Sequence, residues 1–240
     1  MYKLMYLCFG EVKPMLSWHE AAKKGWDERA PLWKEQSEDM WETGSRKTII
    51  PFFKKYVPEG SSVLDVGCGD GYGSLKLWEA GYFVTGVDLS DEMIALCRER
   101  KTVEMDGLAF LQADMLDLPF KDELFDSVMA ITSLEWAEVP VQALQSILRV
   151  VKKGGYLCIG VLGPTAMPRI NSFDRLYGEP VFMNTMMPWE FERLANEQGL
   201  TLVGSQGVYK RGVNDAHLNS LSVELKQALS FLWIFMLKKE

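Results

Sequence analysis

Histidine is scarce in this chain and none of its cysteines are closely spaced, which argues against a structural metal site. Among its 240 residues there are two histidines and four cysteines, and no two cysteines form a CxxC pair. Structural zinc sites use closely spaced cysteine and histidine ligands. We therefore expect no metal, and the scattered thiols favour a reducing, cytoplasmic setting over a secreted one. The residues concerned are His19, His217, Cys8, Cys68, Cys97 and Cys158.

An excess of positive charge and a long hydrophobic run are also lacking. The 26 Lys and Arg residues face 33 Asp and Glu residues, so the net charge is −7. Proteins that coat nucleic acids or acidic membranes need a broad cationic face, so neither is the expected partner. The apolar run at residues 231–237 has strand length, and the run at residues 4–9 is too short for a signal peptide and has no cleavage site.

Short apolar runs alternate with helical stretches from residue 62 onward. This alternation predicts an α/β fold, a doubly wound parallel sheet with helices on both faces and ligands beyond the carboxyl ends of the strands. The predicted strands are 62–66, 83–87, 108–112, 125–131, 156–162, 201–209 and 229–238. The predicted helices are 72–80, 91–100, 141–153, 188–199 and one around 221–229, with Lys152 and Lys153 in the last turn of the third.

Two segments flank or interrupt this alternation and are predicted to cover the ligand edge. Residues 1–57 are helical in character and rich in tryptophan, with Pro31 expected to break the helix. Residues 163–188 contain four prolines and follow the fifth strand. We interpret them as an N-terminal helical lid and a cap inserted into a core of residues 58–240.

The most informative segment is a strand that runs directly into glycines at 67, 69, 71 and 73. The dinucleotide fingerprint G-x-G-x-x-G fails, because Tyr72 or Ser74 stands where its third glycine is needed. Asp65 and Asp70 would repel a phosphate but suit an ammonium or sulfonium group. A cationic amino-acid moiety is therefore the expected guest, and a tight turn without a ligand is the alternative.

Acidic residues follow the next two strands at the same predicted sheet edge. Asp88 ends the second strand, where a carboxylate can accept the two hydroxyls of a ribose. Asp114 follows the third strand and can accept a hydrogen bond from an adenine amino group. Taken alone, Asp114 would be a helix cap or a turn residue. In register with the glycines and Asp88, it indicates an adenosine site.

Several motifs together resemble class I S-adenosylmethionine-dependent methyltransferases of the ubiquinone/menaquinone-biosynthesis-like, type 11 family. The matching segments occur in the family's order between about residues 60 and 160: 63–71, 86–90, 112–115, 118–120, 125–128 and 148–155. The resemblance implies an enzyme that uses S-adenosylmethionine, and a Rossmann-like sheet of seven strands whose last strand is antiparallel.

The resemblance also implies roles for individual residues. The glycine loop would meet the methionine end of the cofactor, Asp88 the ribose, Asp114 the adenine, and Arg46 the carboxylate, although a solvated helix charge is the alternative for Arg46. The implied cofactor-binding residues are Arg46, Asp65, Gly67, Cys68, Gly69, Gly71, Asp88, Leu89, Met93, Asp114, Met115, Ile131 and Thr132. The implied substrate-side residues are Tyr72, Trp136 and Tyr177.

No catalytic acid or base stands out in the sequence. Transfer of a methyl group from a sulfonium is an in-line displacement, which needs a base only if the acceptor must lose a proton. Tyr72, His19, Glu135 and Tyr177 are candidates, but His19 and His217 are expected at the surface. A small molecule is the expected acceptor, and its identity and the oligomeric state are not predicted.

Three alternative functions remain open on the sequence alone. A tRNA or protein methyltransferase would keep the cofactor site and gather its cations into one patch. A nicotinamide-dependent oxidoreductase shares the sheet but needs the missing glycine. A protein that binds the cofactor without catalysis is the third. Four tryptophans suit an apolar or aromatic acceptor or closure over the adenine, but such a stripe is also typical of an ordinary core: Trp18, Trp26, Trp33 and Trp41.

Overall fold

A computed structural model describes residues 17–240 of the chain, so the expectation for residues 4–9 lies outside the described residues. The helices are α1 (Trp18–Glu42), α2 (Ile49–Phe53), α3 (Tyr72–Glu79), α4 (Asp91–Arg100), α5 (Pro140–Val150), α6 (Pro188–Glu197), α7 (Asp215–Leu218) and α8 (Val223–Ala228). The strands are β1 (Ser62–Val66), β2 (Phe83–Asp88), β3 (Leu108–Gln112), β4 (Phe125–Ile131), β5 (Val151–Leu162), β6 (Leu200–Tyr209) and β7 (Ser230–Lys239).

The strands form one seven-stranded sheet in the order β3-β2-β1-β4-β5-β7-β6. The first five strands are parallel to one another, and β7 inserts antiparallel between β5 and β6. The predicted Rossmann-like fold and its antiparallel last strand are thereby confirmed. Parallel pairing places the ends of β1, β2, β3 and β4 at a single edge, where crossover connections leave room for a ligand.

Both faces of the sheet are buried, which explains the nearly continuous apolar runs of its central strands. In β1, Leu64 and Val66 belong to one core cluster, while Val63 belongs to a second cluster that also holds Met129 of β4. Successive side chains of a strand point to opposite faces, so one five-residue strand contributes to both layers.

Residues just outside the helices fix where α3 and α4 begin. Ser90 caps α4, because its hydroxyl accepts a hydrogen bond from the Met93 amide at 3.1 Å. Gly71 precedes α3 with a φ of 79°, a backbone conformation that favours glycine. The turn into each helix is therefore local, and it leaves the preceding strand end facing the sheet edge.

The boundary between α5 and β5 differs from the prediction. The helix ends at Val150 rather than at residue 153, and β5 begins at Val151, so Lys152 lies in the strand instead of a last helical turn. Val151 pairs with Phe125 of β4, and the register shifts before the next pair. The Lys152 Nζ atom lies 2.6 Å from the Asp126 carboxylate across this irregularity. Pairing with β4 thus overrides the helical pattern.

The helix α1 continues through Pro31, although the sequence predicts a break in the helix there. A proline inside a helix lacks one N–H donor and crowds the carbonyl four residues earlier, but the remaining turns keep their hydrogen bonds. Contacts on both sides of Pro31 hold the helix against the domain. Asp27 accepts a hydrogen bond from the Ser90 hydroxyl at 2.6 Å, and the Ser37 hydroxyl donates to Asp70 at 2.5 Å. Tertiary contacts therefore outweigh the local penalty.

The inserted segment 163–188 contains a 3-10 helix, Met167–Tyr177. Arg169 ties the two ends of the insertion together, because its guanidinium donates to the carbonyl oxygens of Leu162, Gly163, Thr185 and Met186 at 2.6–3.0 Å. The insertion is thus fastened to the end of β5.

Within residues 17–240, no helix has the length and apolar character that crossing a membrane would require.

Replacing Pro31 with alanine should stabilise the domain. Alanine restores a helical N–H and relieves crowding, which favours the helix by about 3 kcal/mol, while greater freedom of the unfolded chain takes back about 0.4–1 kcal/mol. We expect P31A to raise the free energy of unfolding in urea by about 1–3 kcal/mol. E35A, a change at an exposed position of the same helix, is the matched control. A P31A protein no more stable than E35A would contradict an unbroken α1.

Candidate active site

A cavity of about 900 Å³, partly open to solvent, lies where β1, β2, β3 and β4 end, and α1 roofs it. Most of the site residues predicted from the sequence line it: Arg46, Gly67, Gly69, Asp88, Leu89, Met93, Asp114, Met115, Ile131, Thr132 and Trp136.

Three of the predicted cofactor-binding residues lie beneath the wall of the cavity and do not line it. Asp65 is buried and accepts a hydrogen bond from the Ser74 hydroxyl at 2.6 Å. Cys68 is buried with its sulfur 3.9 Å from that of Cys97. Gly71 leads into α3. These residues support the loop, and the structure gives them no surface in the cavity.

Two predicted substrate-side residues also lie outside the cavity lining. The Tyr72 hydroxyl donates to Glu42 at 2.9 Å, and Tyr177 is 75% exposed on the 3-10 helix of the insertion. Glu135, a candidate base, is fully buried and accepts a hydrogen bond from the Leu162 amide at 2.7 Å. Burial raises the pKa of Glu135.

The glycine loop packs closely against two neighbouring elements. Gly67 and Gly69 adopt φ values of 70° and 58°. A Cβ atom at Gly67 would lie 2.5 Å from the Ser133 Cβ, and one at Gly69 would lie 2.9 Å from the Trp33 indole nitrogen. The loop therefore needs glycine both for its conformation and to admit these side chains.

Asp88 braces this loop while it faces the cavity. One carboxylate oxygen accepts the Gly69 amide at 2.9 Å, and the other accepts the Ser90 amide at 3.0 Å. Burial raises the pKa of Asp88, and the hydrogen bonds from these amides oppose that shift. Each carboxylate oxygen has a second lone pair, so Asp88 can still accept hydroxyl groups from a ligand.

His19 and Asp114 form a contact between α1 and the end of β3. The His19 Nδ1 atom lies 3.0 Å from one Asp114 oxygen, and the Leu116 amide donates to the other at 2.9 Å. The His19 side chain is 46% exposed, in line with the expected surface position, and it also lines the cavity. His19 lies in the first turn of α1, and tertiary contacts place this turn above the end of β3.

Arg46 enters the cavity between two aromatic rings. Its guanidinium lies 4.9 Å from the Trp33 ring centre and 5.6 Å from that of Trp41, and it donates to the Thr132 hydroxyl at 3.0 Å. Burial lowers the pKa of Arg46 to about 10, opposed by the negative charges of Asp65, Asp70 and Glu135. The side chain is therefore charged at neutral pH and has donors left for an anionic group.

Tryptophans form one wall of the cavity. The Trp26 ring meets Trp33 at 5.4 Å and Trp136 at 4.8 Å, both edge-to-face, and the Trp18 indole donates to the Trp136 carbonyl at 2.8 Å. Trp41 is buried against Gly73 instead and belongs to the core. The ordinary-core interpretation thus holds for Trp41, whereas Trp18, Trp26 and Trp33 line the cavity.

Comparison with known proteins identifies the domain. A family model described as a methyltransferase domain matches residues 64–159. The chain therefore contains a segment, residues 64–159, that is similar to this family of methyltransferases. It is 27% identical over 172 residues to the demethylmenaquinone methyltransferase of Clavibacter sepedonicus, a match that covers 72% of this chain and 66% of that protein.

A second relative is also named as a methyltransferase, and a solved structure shares the fold. The malonyl-(acyl-carrier protein) O-methyltransferase of Erwinia pyrifoliae is 29% identical over 143 residues, 59% of this chain and 53% of that protein. The chain thus covers between about half and two thirds of the length of these two curated relatives. The crystal structure of the (4+2)-cyclase SpnF has the same fold, with a TM-score of 0.68 and 18% identity over 94% of this chain and 98% of that one.

The spacing of three tryptophans in the sequence indicates that they lie on one side of a helix and could line a site together. Trp18, Trp26 and Trp33 are eight and seven residues apart, close to two helical turns each, so they share one face of α1. The spacing does not say what that face meets. Only the path of α1 across the strand ends, set by tertiary contacts, brings this face over the cavity.

Asp65 should make the stability of the methyltransferase domain depend on pH. Burial raises the pKa of its carboxyl to about 7, from an ordinary value of 3.8, so between these values the folded state binds more protons than the unfolded state. The free energy of unfolding therefore falls as pH rises through this window. We expect the D65N variant to lack this decrease, which amounts to roughly 4 kcal/mol between the two pKa values at about 1.36 kcal/mol per unit.

Urea unfolding of the wild type and D65N at several pH values between 4 and 8 measures this difference. D117N, which removes an exposed carboxylate outside the cavity lining, is the control. Parallel curves for the wild type and D65N would show that Asp65 is ionised throughout the window.

Proposed function

We propose that this chain transfers a methyl group from S-adenosylmethionine to a small-molecule acceptor. One observation carries the proposal: the glycine loop, Asp88, Asp114 and Arg46 come from separate elements and face one cavity. A cofactor with a cationic amino-acid end, a ribose diol and an adenine presents groups complementary to each of them. The assignment of the individual residues is part of the proposal.

Each end of the cavity would hold one part of the cofactor. Arg46 can pair with a carboxylate through two of its donors, and Asp88 can accept the ribose hydroxyls. Asp114 can accept the adenine amino group, while Leu89 and Met93 pack against the ring. The wall of Trp26, Trp33 and Trp136 presents aromatic surface to a sulfonium, a contact that electron-rich rings favour.

The chain's residues would act chiefly by alignment and exclusion of water. When bound, S-adenosylmethionine supplies an electrophilic methyl group on a positively charged sulfur. Trp18 and Trp26 close the cavity from the side of α1, and the hydrogen bond from Trp18 to the Trp136 carbonyl seals that contact. Such alignment contributes much of the rate enhancement of a bimolecular reaction. The buried Glu135 lies outside the cavity lining, and we assign no base.

The cavity favours a small acceptor with apolar or aromatic surface. One wall of the cavity is formed by tryptophans, and the names of two relatives specify a menaquinone precursor and a carrier-linked malonyl group as acceptors. Cations of α1 are neutralised nearby: Lys23 lies 2.9 Å from Asp27, and Lys34 lies 2.8 Å from Glu99. This pairing argues against a cationic surface for tRNA.

Replacing Asp88 should weaken cofactor binding. D88A removes an acceptor for the ribose hydroxyls and the brace of the Gly69 amide, so we expect a loss of about 1–3 kcal/mol in the binding free energy. Isothermal titration with S-adenosylmethionine and S-adenosylhomocysteine measures it, with D117A as the matched control. Equal affinity of D88A and wild type would contradict the assignment of Asp88. Binding of a nicotinamide nucleotide instead by the wild type would overturn the proposed function.

We further propose that residues 1–57 act as a lid whose first helix orders over the bound cofactor. Three tryptophans of α1 line the cavity: Trp18, Trp26 and Trp33. A ligand bound there would therefore add surface for α1 to pack against. Limited proteolysis should therefore cut upstream of Ser61 more slowly when S-adenosylhomocysteine is present. Equal cleavage rates with and without it would exclude the lid, and cleavage after residue 188 serves as the internal reference.

A further inference from the structure

Thr132, the first residue after β4, has an unusual backbone conformation. Its φ is 54°, and within residues 17–240 Glu123 is the one other non-glycine residue with a positive φ. This left-handed region is unfavourable for a β-branched side chain. Strained residues persist when the surrounding structure holds them, and they concentrate at functional sites. Thr132 lies at such a place, because it lines the cavity.

Two hydrogen bonds hold Thr132 in this strained backbone conformation. Its amide donates to the Gly160 carbonyl of β5 at 2.8 Å, which fixes the backbone to the sheet. Its hydroxyl Oγ1 accepts a hydrogen bond from the Nη2 atom of Arg46 at 3.0 Å. The backbone is thus anchored on one side while the side chain meets the guanidinium on the other.

The contact constrains an arginine that is otherwise held mainly by its aromatic neighbours. Trp33 and Trp41 contact the guanidinium through their rings, an interaction that tolerates rotation in the plane. A hydrogen bond to one nitrogen fixes that rotation. Since a guanidinium has five N–H donors, the others remain available to a ligand.

We propose that Thr132 is a positioning residue that orients the Arg46 guanidinium toward the carboxylate of the cofactor. The inference rests on the proposed function, in which Arg46 binds that carboxylate. Thr132 itself need not touch the carboxylate. If this residue served only to turn the chain after β4, glycine or asparagine would adopt its conformation at lower cost, and its hydroxyl would be dispensable.

A pair of ligands separates this role from a purely structural one. S-adenosylhomocysteine carries the amino-acid carboxylate, whereas 5′-methylthioadenosine lacks the whole amino-acid portion, and both contain a neutral thioether. T132V keeps the branched shape and removes the hydroxyl. We expect T132V to bind S-adenosylhomocysteine about 3–10-fold more weakly, the scale of one ordinary net hydrogen bond, and to bind 5′-methylthioadenosine within about twofold of wild type.

Two further variants control for folding and for the route of the effect. T132S retains the hydroxyl and should bind both ligands like the wild type. In an R46Q background, T132V should cause no further loss, because the hydroxyl acts through Arg46. If T132V does not fold, T132A removes the same hydroxyl with less crowding, and the same ligand-selective loss is expected. Thermal melting of each variant reports folding.

The outcomes distinguish this inference from the proposed function. Unchanged affinity of T132V for S-adenosylhomocysteine would overturn it, and so would an equal loss for both ligands, which would indicate general disruption of the cavity. A wild-type protein that binds neither ligand would instead remove the proposed function itself. Selective loss with S-adenosylhomocysteine, absent in the R46Q background, supports the positioning role.

Discussion

Burial of charged side chains under the sheet edge is the constraint on which the site depends. Asp65 and Arg46 lie close enough to influence each other. Burial favours the neutral form of each, because it raises the pKa of Asp65 and lowers the pKa of Arg46. Isolated buried charges are unfavourable, so each must be compensated by hydrogen bonds or opposite charge. The Ser74 hydroxyl donates a hydrogen bond to Asp65. Arg46 donates to the Thr132 hydroxyl and packs against two tryptophan rings. The remaining donors of Arg46 are left for a ligand that carries negative charge.

The pattern of the strands made most of the sheet predictable, because strand ends and turns are encoded locally. The predicted ranges of β1, β3 and β4 agree with the structure at both ends, and Ser90 caps α4 as its sequence indicates. The strands β1 and β4 are short, nearly continuous apolar runs buried on both faces, and the cap of α4 is a hydrogen bond within three residues. The antiparallel β7 came from the family resemblance, since periodicity contains no information about direction.

What the sequence did not reveal depends on contacts between distant elements. Pro31 breaks a helix by local rules, yet α1 continues because Asp27 and Ser37 are held by Ser90 and Asp70. His19 is exposed as the sequence predicts, but its contact with Asp114 exists only because α1 lies across the end of β3. Neither contact has a signature in spacing. The positive φ of Thr132 likewise follows from anchoring on β5 rather than from residue type.

The contacts of α1 differ along its length, and they determine how the proposed lid would open. The His19–Asp114 pair is partly exposed, and such pairs contribute about 1 kcal/mol or less. Ser37, at the other end, is fully buried with Asp70, which Arg100 also contacts. Between them Pro31 leaves the helix one hydrogen bond short. If α1 opens as the proposed lid, its amino-terminal half, which carries Trp18 and Trp26, would have to break the hydrogen bonds of Trp18 to the Trp136 carbonyl and of Ser90 to Asp27 while the carboxyl-terminal half stays attached.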